Sequence, residues 1–349
     1  MNRFLEEIRQ QPKALTDTAD YFIDGEGAEA LARAVQLWRS GRYDSMLLTG
    51  MGSSRFIASA AAAMLAARRI PAVALDAGEL LHYRRSLLAE RVLPVFISQS
   101  GESYEVVRLL DLLPAGCELV AVCNEAQSTL ARRADCLLLT QAGEERMTST
   151  KSFITCYQAV SLLASALAGQ PVSSETWNDL AATIAPLVGG CTPWMEPALA
   201  TIGEAPFVQL IGRGPLFAAV SQSALMFMEA AHLPASAMTG GEFRHGPLEM
   251  VREGFAAVVF THSRSETFAQ SIALTEDILR FGGRVVLVTD RDPRLTADNL
   301  CRVVVPCDAE ELFAVVAVVP LQLLINERMI RRGIEPGDFA HGAKVTARE

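Results

Sequence analysis

The turn Ser98-Gln99-Ser100-Gly101-Glu102-Ser103 presents hydroxyls, an amide and a glycine directly after an apolar run at 92–97. Each serine can donate an O–H, and Gly101 lets a ligand approach the backbone closely. A helix starting just beyond would add free N–H groups, a favourable setting for a phosphate. The turn holds no lysine or arginine, so the expected ligand is a single phosphate on a small molecule. Glu229 closes an apolar run at 224–231, where apolar neighbours would raise a carboxyl toward the range useful in proton transfer. His245 lies in Gly240-Gly241-Glu242-Phe243-Arg244-His245-Gly246-Pro247, a glycine-flanked loop offering an imidazole that titrates near neutral pH. Taken alone, His245 reads equally well as a surface-loop histidine. By the same standard Glu229 is a solvated helix end and Lys344, in Gly342-Ala343-Lys344, an exposed tail lysine. His82, His232, His262 and His341 have no comparable setting.

These side chains need a scaffold, and the hydrophobic pattern supplies one. Apolar runs at 45–49, 72–75, 92–98, 119–122 and 136–139 alternate with helical stretches at 56–69, up to Leu112 and near Thr129. That alternation predicts a parallel sheet flanked by helices. Ligands of such sheets lie beyond the carboxyl ends of the strands, where the turns at 50–54 and 98–103 both fall. After a helical stretch at 151–187 the pattern restarts, with runs at 207–211, 256–260, 285–288 and 303–305. Gly212-Arg213-Gly214 repeats the glycine turn at Gly50-Met51-Gly52, which predicts two α/β subdomains of one architecture. Glycines and prolines between 186 and 205 suggest the boundary. The first domain is drawn as 1–190, with the serine turn, and the second as 191–349, with Glu229, the His245 loop and the tail. The second half shows no serine-rich turn matching 98–103, so the halves are expected to differ in function.

Composition narrows the classes of partner. A chain of 349 residues can bury two cores, and a mean hydropathy of +0.23 with half the residues hydrophobic is inconsistent with extensive disorder. A net charge of −9 and a pI near 5.2 argue against a nucleic-acid partner. The longest apolar stretch, 313–325, is interrupted by Pro320 and Gln322 and is too short for a bilayer, so no membrane partner is expected. The N-terminal residues lack a secretory apolar segment. The seven cysteines show neither CxxC nor pairing with histidine, which predicts buried thiols in a reducing cytoplasm. Neither a metal nor a cofactor is implied.

The segments Gly50-Met51-Gly52-Ser53-Ser54, Ser98–Ser103, Ser149-Thr150-Lys151-Ser152-Phe153 and Gly241–Pro247 resemble the successive motifs of SIS-domain (sugar isomerase) proteins. More narrowly, the chain is similar to the isomerase half of glucosamine-6-phosphate synthases and to the fructosamine-6-phosphate deglycases built from that module. The resemblance runs from Gln11-Pro12 to Ala343-Lys344-Val345-Thr346. It implies two SIS-type subdomains, each a mainly parallel sheet in a flavodoxin-like three-layer sandwich. It implies a phosphate pocket of Ser98, Gln99, Ser100 and Ser103, with Ser53, Ser54 and Ser149 helping to hold the sugar. Glu229 takes the place of the family's enolising carboxylate. His245 matches the histidine of ring opening, which would reach the site from the partner subunit of a homodimer or higher oligomer. Lys344 matches the near-terminal lysine, although His341 and Gly342 replace the residues usual before it.

Two departures bear on activity. The chain begins Met1-Asn2-Arg3, without a glutaminase segment or an N-terminal cysteine, and Met226 stands where the synthases keep a lysine three residues before Glu229. A thioether cannot carry a proton, so synthesis of glucosamine 6-phosphate is not expected. The resemblance then implies cleavage of a 6-phosphorylated fructosamine to glucose 6-phosphate and a free amine, without metal or redox cofactor. Its alternatives are an aldose–ketose isomerase of a hexose or amino-sugar 6-phosphate and a non-catalytic sugar-phosphate sensor.

Overall fold

Uninterrupted aliphatic runs form strands that are covered on both faces, the pattern of parallel sheets, and this chain builds two of them. The computed structural model describes residues 2–337, 341 and 343–346. They form two units: a first of Gln10–Ala181 with Ala340–Glu349, and a second of Met1–Arg9 with Ala182–Phe339. Helix α1 (Arg3–Arg9) therefore belongs to the second unit, and the C-terminal tail to the first.

In the first unit, α2 (Gln11–Ile23) and α3 (Gly27–Arg39) lead into β1 (Ser45–Gly50), α4 (Ser53–Ala67), β2 (Ala72–Asp76) and α5 (Ala77–Tyr83). There follow β3 (Val92–Ile97), α6 (Tyr104–Leu110), β4 (Val120–Cys123), α7 (Thr129–Arg133), β5 (Cys136–Leu139) and α8 (Lys151–Leu167). The strands pair in parallel in the order β2-β1-β3-β4-β5. Leu47, Phe96 and Ala121 point to one face, against Leu80 of α5, Val106 and Leu109 of α6 and Leu130 of α7. Helices α4 and α8 also pack on the strands and against each other.

Helix α9 (Ser174–Val188) contains the division between the units. The second unit continues with α10 (Met195–Ile202), β6 (Val208–Gly212), α11 (Phe217–Ala231), β7 (Ala235–Thr239), α12 (Gly240–Arg244) and β8 (Ala256–Thr261). It ends with α13 (Phe268–Arg280), β9 (Arg284–Thr289), β10 (Leu300–Val304), α14 (Phe313–Ala317) and α15 (Val319–Arg331). Its parallel order, β7-β6-β8-β9-β10, repeats that of the first unit with β6 in the place of β1. Ile211, Val259 and Leu287 pack with Phe243 of α12 and Leu274 and Ile278 of α13.

The structure differs from the sequence reading at four places. The helical stretch at 151–187 is two helices, α8 and α9, separated where Gly169 takes a positive φ of 69°. Strand β7 has no strong apolar pattern and went unread; each of its residues is half-buried. Strand β10 begins at Leu300 and alternates in burial, as an edge strand does. Finally, Pro320 does not interrupt the apolar stretch near the C-terminus. It sits in the first turn of α15, where its missing N–H has no helical partner to lose. Residues Glu310–Arg331 thus form a helical run of 22 residues, apolar and long enough to cross a membrane by length and composition. Its most apolar window is 89% buried within the protein, as a core helix is.

Candidate functional site

The carboxyl ends of the first sheet gather Ser53, Ser54, Ser98, Gln99, Ser100, Ser103, Ser149 and Lys344 onto one rim. Gly50 ends β1 with so little room that a Cβ there would lie 2.6 Å from the Ile97 carbonyl oxygen and 2.7 Å from the Ser54 Cβ. A glycine is thus required for the β1 and β3 turns to touch. Ser54 is buried and Ser53 half-buried at the start of α4.

The β3 turn is internally braced. Ser98 is buried, and its Oγ accepts the Gly101 N–H at 3.1 Å and lies 3.4 Å from the Ser103 Oγ. The Ser100 Oγ accepts the Glu102 N–H at 3.2 Å. Ser100 is the acceptor in its contact, so its own O–H remains available to donate, and one hydroxyl of the Ser98–Ser103 pair donates to the other. Gly101 has φ +65°, and a Cβ on it would lie 2.1 Å from the Ser128 Oγ. Glu102 turns away: its carboxylate takes the Thr129 N–H at 2.6 Å and the Thr129 hydroxyl at 2.9 Å, at the start of α7. Gln99, Ser100 and Ser103 stay half-buried. One helix N–H expected to face a ligand is already engaged, because Tyr104 N–H donates to the Thr346 carbonyl of the tail at 3.0 Å.

Beyond β5, Glu145 organises the rest of the rim. Its side chain is fully buried and accepts Thr150 N–H at 2.9 Å, Thr150 Oγ1 at 3.0 Å, Ser152 N–H at 3.1 Å and the Ser152 hydroxyl. The Lys344 ammonium completes the set at 2.7 Å, and also donates to the Met147 carbonyl at 2.7 Å. Burial pushes the Glu145 carboxyl up, but the Lys344 charge and the Lys344, Ser152 and Thr150 hydrogen bonds outweigh it and hold it below the usual carboxylate range. Ser149 joins the network through its hydroxyl, 2.6 Å from that of Ser152. Lys344 is therefore a paired side chain, 21% exposed, and not a solvated tail residue. Asn124 ties this loop to the β3 turn: its N–H donates to the Gln99 carbonyl and its Nδ2 to the Gly143 carbonyl, both at 3.0 Å.

Neither Glu145 nor Asn124 was singled out from the sequence. Glu145 sits in the charged run Glu144-Glu145-Arg146, where nothing in the spacing separates it from its neighbour. The hydroxyl-rich Ser149-Thr150-Lys151-Ser152 at the head of α8 was the available signal for a buried acceptor.

In the second unit Glu229 is half-buried, two residues before the end of the apolar helix α11, with Met226 fully buried one turn earlier. His245 is exposed at the C-terminus of α12, a helix opened by a capping box between Thr239 and Glu242. These two residues are not brought together within the unit. Glu229 precedes β7 and His245 follows it, and a five-residue strand spans about 16 Å.

The second sheet does carry a hydroxyl turn in the place of the first one, contrary to the sequence reading. Residues 262–267, His262-Ser263-Arg264-Ser265-Glu266-Thr267, connect β8 to α13 as 98–103 connect β3 to α6. His262 replaces Ser98 and is fully buried; its Nδ1 accepts the Arg264 N–H at 3.1 Å, and its Nε2 lies 3.1 Å from the Cys307 carbonyl. Asp290 at the end of β9 takes the Ser263 N–H at 2.6 Å and its hydroxyl at 2.5 Å.

The cysteines are all unpaired. Four are buried, but Cys191 is exposed and Cys117 and Cys307 are half-buried, so the expectation of uniformly buried thiols is corrected. Burial pushes the thiols of Cys136, Cys301 and Cys307 up to about 11. Among the described residues, no group of three His, Cys, Asp or Glu side chains is placed to hold a metal.

Two copies of the SIS domain match the chain, at residues 42–166 and 202–331. The chain belongs to the SIS-domain family, with the α/β fold of solved phosphosugar isomerases. Among curated relatives, the glutamine–fructose-6-phosphate aminotransferase (isomerizing) of Pyrococcus horikoshii is 30% identical over 343 residues, which are 95% of this chain and 55% of that protein. The chain thus spans about half the length of the curated relatives it matches. The C-terminal domain of the glucosamine-fructose-6-phosphate aminotransferase of Francisella tularensis superposes with a TM-score of 0.86 at 23% identity, covering 97% of this chain and 98% of that one. The tagatose-6-phosphate ketose/aldose isomerase of Escherichia coli gives 0.80 at 23% identity, covering 97% and 96%.

Proposed function

We propose that this protein is a phosphosugar enzyme that cleaves a 6-phosphorylated fructosamine to glucose 6-phosphate and a free amine. The β3 rim, with its donor hydroxyls and no cation in the turn, suits a single phosphate. That phosphate anchors one end of an extended sugar and fixes the reacting carbons at the other. His245 assists ring opening by moving a proton at the ring or anomeric oxygen. Glu229 removes a proton from C1 of the open ketosamine, giving the enolamine. Return of that proton to C2 leaves a C1=N imine, and water hydrolyses it to the aldehyde of glucose 6-phosphate and the amine. One carboxylate serves both transfers because C1 and C2 are adjacent.

The observation that carries this choice is Met226, a fully buried thioether one turn before Glu229 on α11. It offers no proton and no nucleophilic nitrogen at the position where synthases keep a lysine, which favours breaking a carbon–nitrogen linkage with water over building one from ammonia. The separation of Glu229 and His245 along β7 supports a homodimer or larger assembly in which His245 serves the site of a second copy.

The test is a panel of fructose–amine adducts phosphorylated at C6, assayed for glucose 6-phosphate release by the full chain. Turnover of at least one adduct, and its loss in Glu229→Gln with sugar-phosphate binding intact, is the expected result. Conversion of fructose 6-phosphate alone, with no adduct cleaved, would instead identify an aldose–ketose isomerase. Binding without turnover of any compound would identify a sensor.

A further inference from the structure

The short helix α12, which ends at His245, rests on an arginine from another strand. Gly212 ends β6 in register with Thr239 of β7, so the next residues, Arg213 and Gly240, leave neighbouring strands side by side. Arg213 continues extended, at φ −145° and ψ 164°. Its side chain therefore turns to the face of Ile211, where α12 and α13 pack. The half-buried guanidinium lies against the two glycines that open α12. A Cβ on Gly240 would be 3.0 Å from Arg213 Nε and 3.4 Å from Nη2, and one on Gly241 would be 3.5 Å from Nη2 and 3.6 Å from Nη1. Among the described residues this guanidinium makes no hydrogen bond or ion pair, and Glu242 is committed to the Thr239 N–H at 2.9 Å. The contact is one of surface: the flat group fills the space that side chains at 240 and 241 would take.

The first unit fills the same place otherwise. Gly50 pairs with Asp76 as Gly212 pairs with Thr239, which equates Met51 with Arg213 and Ala77 with Gly240. It also equates Gly78-Glu79-Leu80-Leu81-His82 with Gly241-Glu242-Phe243-Arg244-His245. The histidine recurs, but α5 opens with a fully buried alanine, and the residue in the arginine's place is a methionine packed against the core. A helix of five residues is too short to hold its own direction, and two glycines at its head leave the backbone its greatest freedom. Buried Phe243 and the 2.8 Å Arg244–Asp277 ion pair fix the far end of α12. We propose that Arg213 is a positioning residue for ring opening: by bracing Gly240 and Gly241 it sets the direction of α12 and so the place of His245, and it touches no atom of the substrate. This rests on His245 acting at the ring or anomeric oxygen, as in the proposed function.

Hydrogen exchange and turnover, both on the full chain, test it. In Arg213→Ala the amides of 241–246 should exchange about tenfold faster or more, while those of β6 and β8 keep their protection. In Arg213→Met, which keeps much of the side chain's length without its charge, most of the protection should return. Turnover is compared on a 6-phosphorylated fructosamine and on its 5-deoxy analogue. The furanose ring closes through the C5 hydroxyl and O6 carries the phosphate, so the analogue stays open and needs no ring opening. On the ordinary substrate Arg213→Ala should lose about tenfold to a hundredfold in kcat with KM within about twofold, and on the analogue less than about threefold in kcat. Unchanged exchange in Arg213→Ala overturns the proposal. So does an equal loss on both substrates, which would make Arg213 a structural residue only. A loss that falls on KM, and is recovered in Arg213→Lys but not in Arg213→Met, overturns it as well, because Arg213 would then hold an anionic group of the substrate. Absence of cleavage by the unaltered protein overturns the functional reading and the catalytic part of this proposal with it, while the exchange result still decides whether Arg213 braces α12.

Discussion

The turns after β3 and β8 occupy the same place in two copies of one fold. Strand register makes the match: Ile97 pairs with Val122 of β4 as Thr261 pairs with Thr289 of β9, which equates Ser98 with His262 and Cys123 with Asp290. In the first turn the strand-end position is Cys123, whose thiol lies 3.5 Å from the Gln99 carbonyl and 3.3 Å from the Ser128 hydroxyl. In the second it is Asp290, whose carboxylate takes both polar hydrogens of Ser263. Around it Arg264 pairs with Asp308, and Arg291 approaches both Asp290 and Asp308. The second turn thus has an acid of its own where the first has only a weakly polar thiol. One scaffold gives a turn with donors left for a ligand and another whose donors are satisfied within the protein.

The most disruptive way to probe that difference is Gly101→Ala. The new methyl would combine a positive φ with a 2.1 Å approach to the buried Ser128 Oγ, and about 3 kcal/mol or more of stability should be lost. Binding of glucose 6-phosphate should go with it. Ser265, the matching residue in the second turn, has no positive φ, so Ser265→Ala should cost no more than about 1 kcal/mol by calorimetry. Equal losses at the two positions would show that the turns are held in the same way. Next in size is Asp290→Ala, which leaves the Ser263 N–H and hydroxyl without their acceptor. A loss of about 2–3 kcal/mol is expected, against about 1 kcal/mol for Cys123→Ala, where a small apolar volume is removed.

Much of this contrast was hidden in the sequence, for definite physical reasons. The apolar runs that became β1, β3 and β4 were legible because strands covered on both faces need no alternation, and β5, an edge strand that is apolar at all four positions, was read to the residue. Strand β7, Ala235-Ser236-Ala237-Met238-Thr239, lies at a sheet edge with every residue half-buried, so its sequence carries neither period nor bulk. The β3 turn stood out through its serines and glycine. The β8 turn did not, because an arginine and a buried histidine break the same hydroxyl pattern and no glycine marks it. Glu145 was illegible for the opposite reason: it looks like one more surface acid beside Glu144 and Arg146. Only the position of the α8 N-terminus and the return of the tail make it buried and paired.

A smaller effect separates the units through pH. Glu145 in the first unit is held below its ordinary value of 4.5, so its stabilisation is complete well above that value and is lost as pH falls through the depressed folded one. The stability difference between the unaltered protein and Lys344→Met should therefore be constant between about pH 6 and 8 and shrink below about pH 4. A difference that grows on acidification would mean that the Glu145–Lys344 pair contributes nothing.

The smallest expected effect is also the most direct test of where the ligand's anion sits. Ser100 is half-buried and accepts only the Glu102 N–H, leaving its own O–H to donate. Removing one such donor to a phosphate should raise the Kd for glucose 6-phosphate about tenfold, near 1.4 kcal/mol. Stability should change by less than about 1 kcal/mol, since the bond lost within the protein is a single exposed one. Ser103→Ala should behave alike, because the Ser98 contact it loses is long at 3.4 Å. Ser98→Ala should not, for its buried Oγ is the acceptor for Gly101 and its loss strains the turn as well. In the second turn, Ser263→Ala should leave the Kd unchanged and instead lower stability, because its donors serve Asp290. If Ser263→Ala weakens sugar-phosphate binding as much as Ser100→Ala does, the two turns share the ligand's anion and the contrast between them fails.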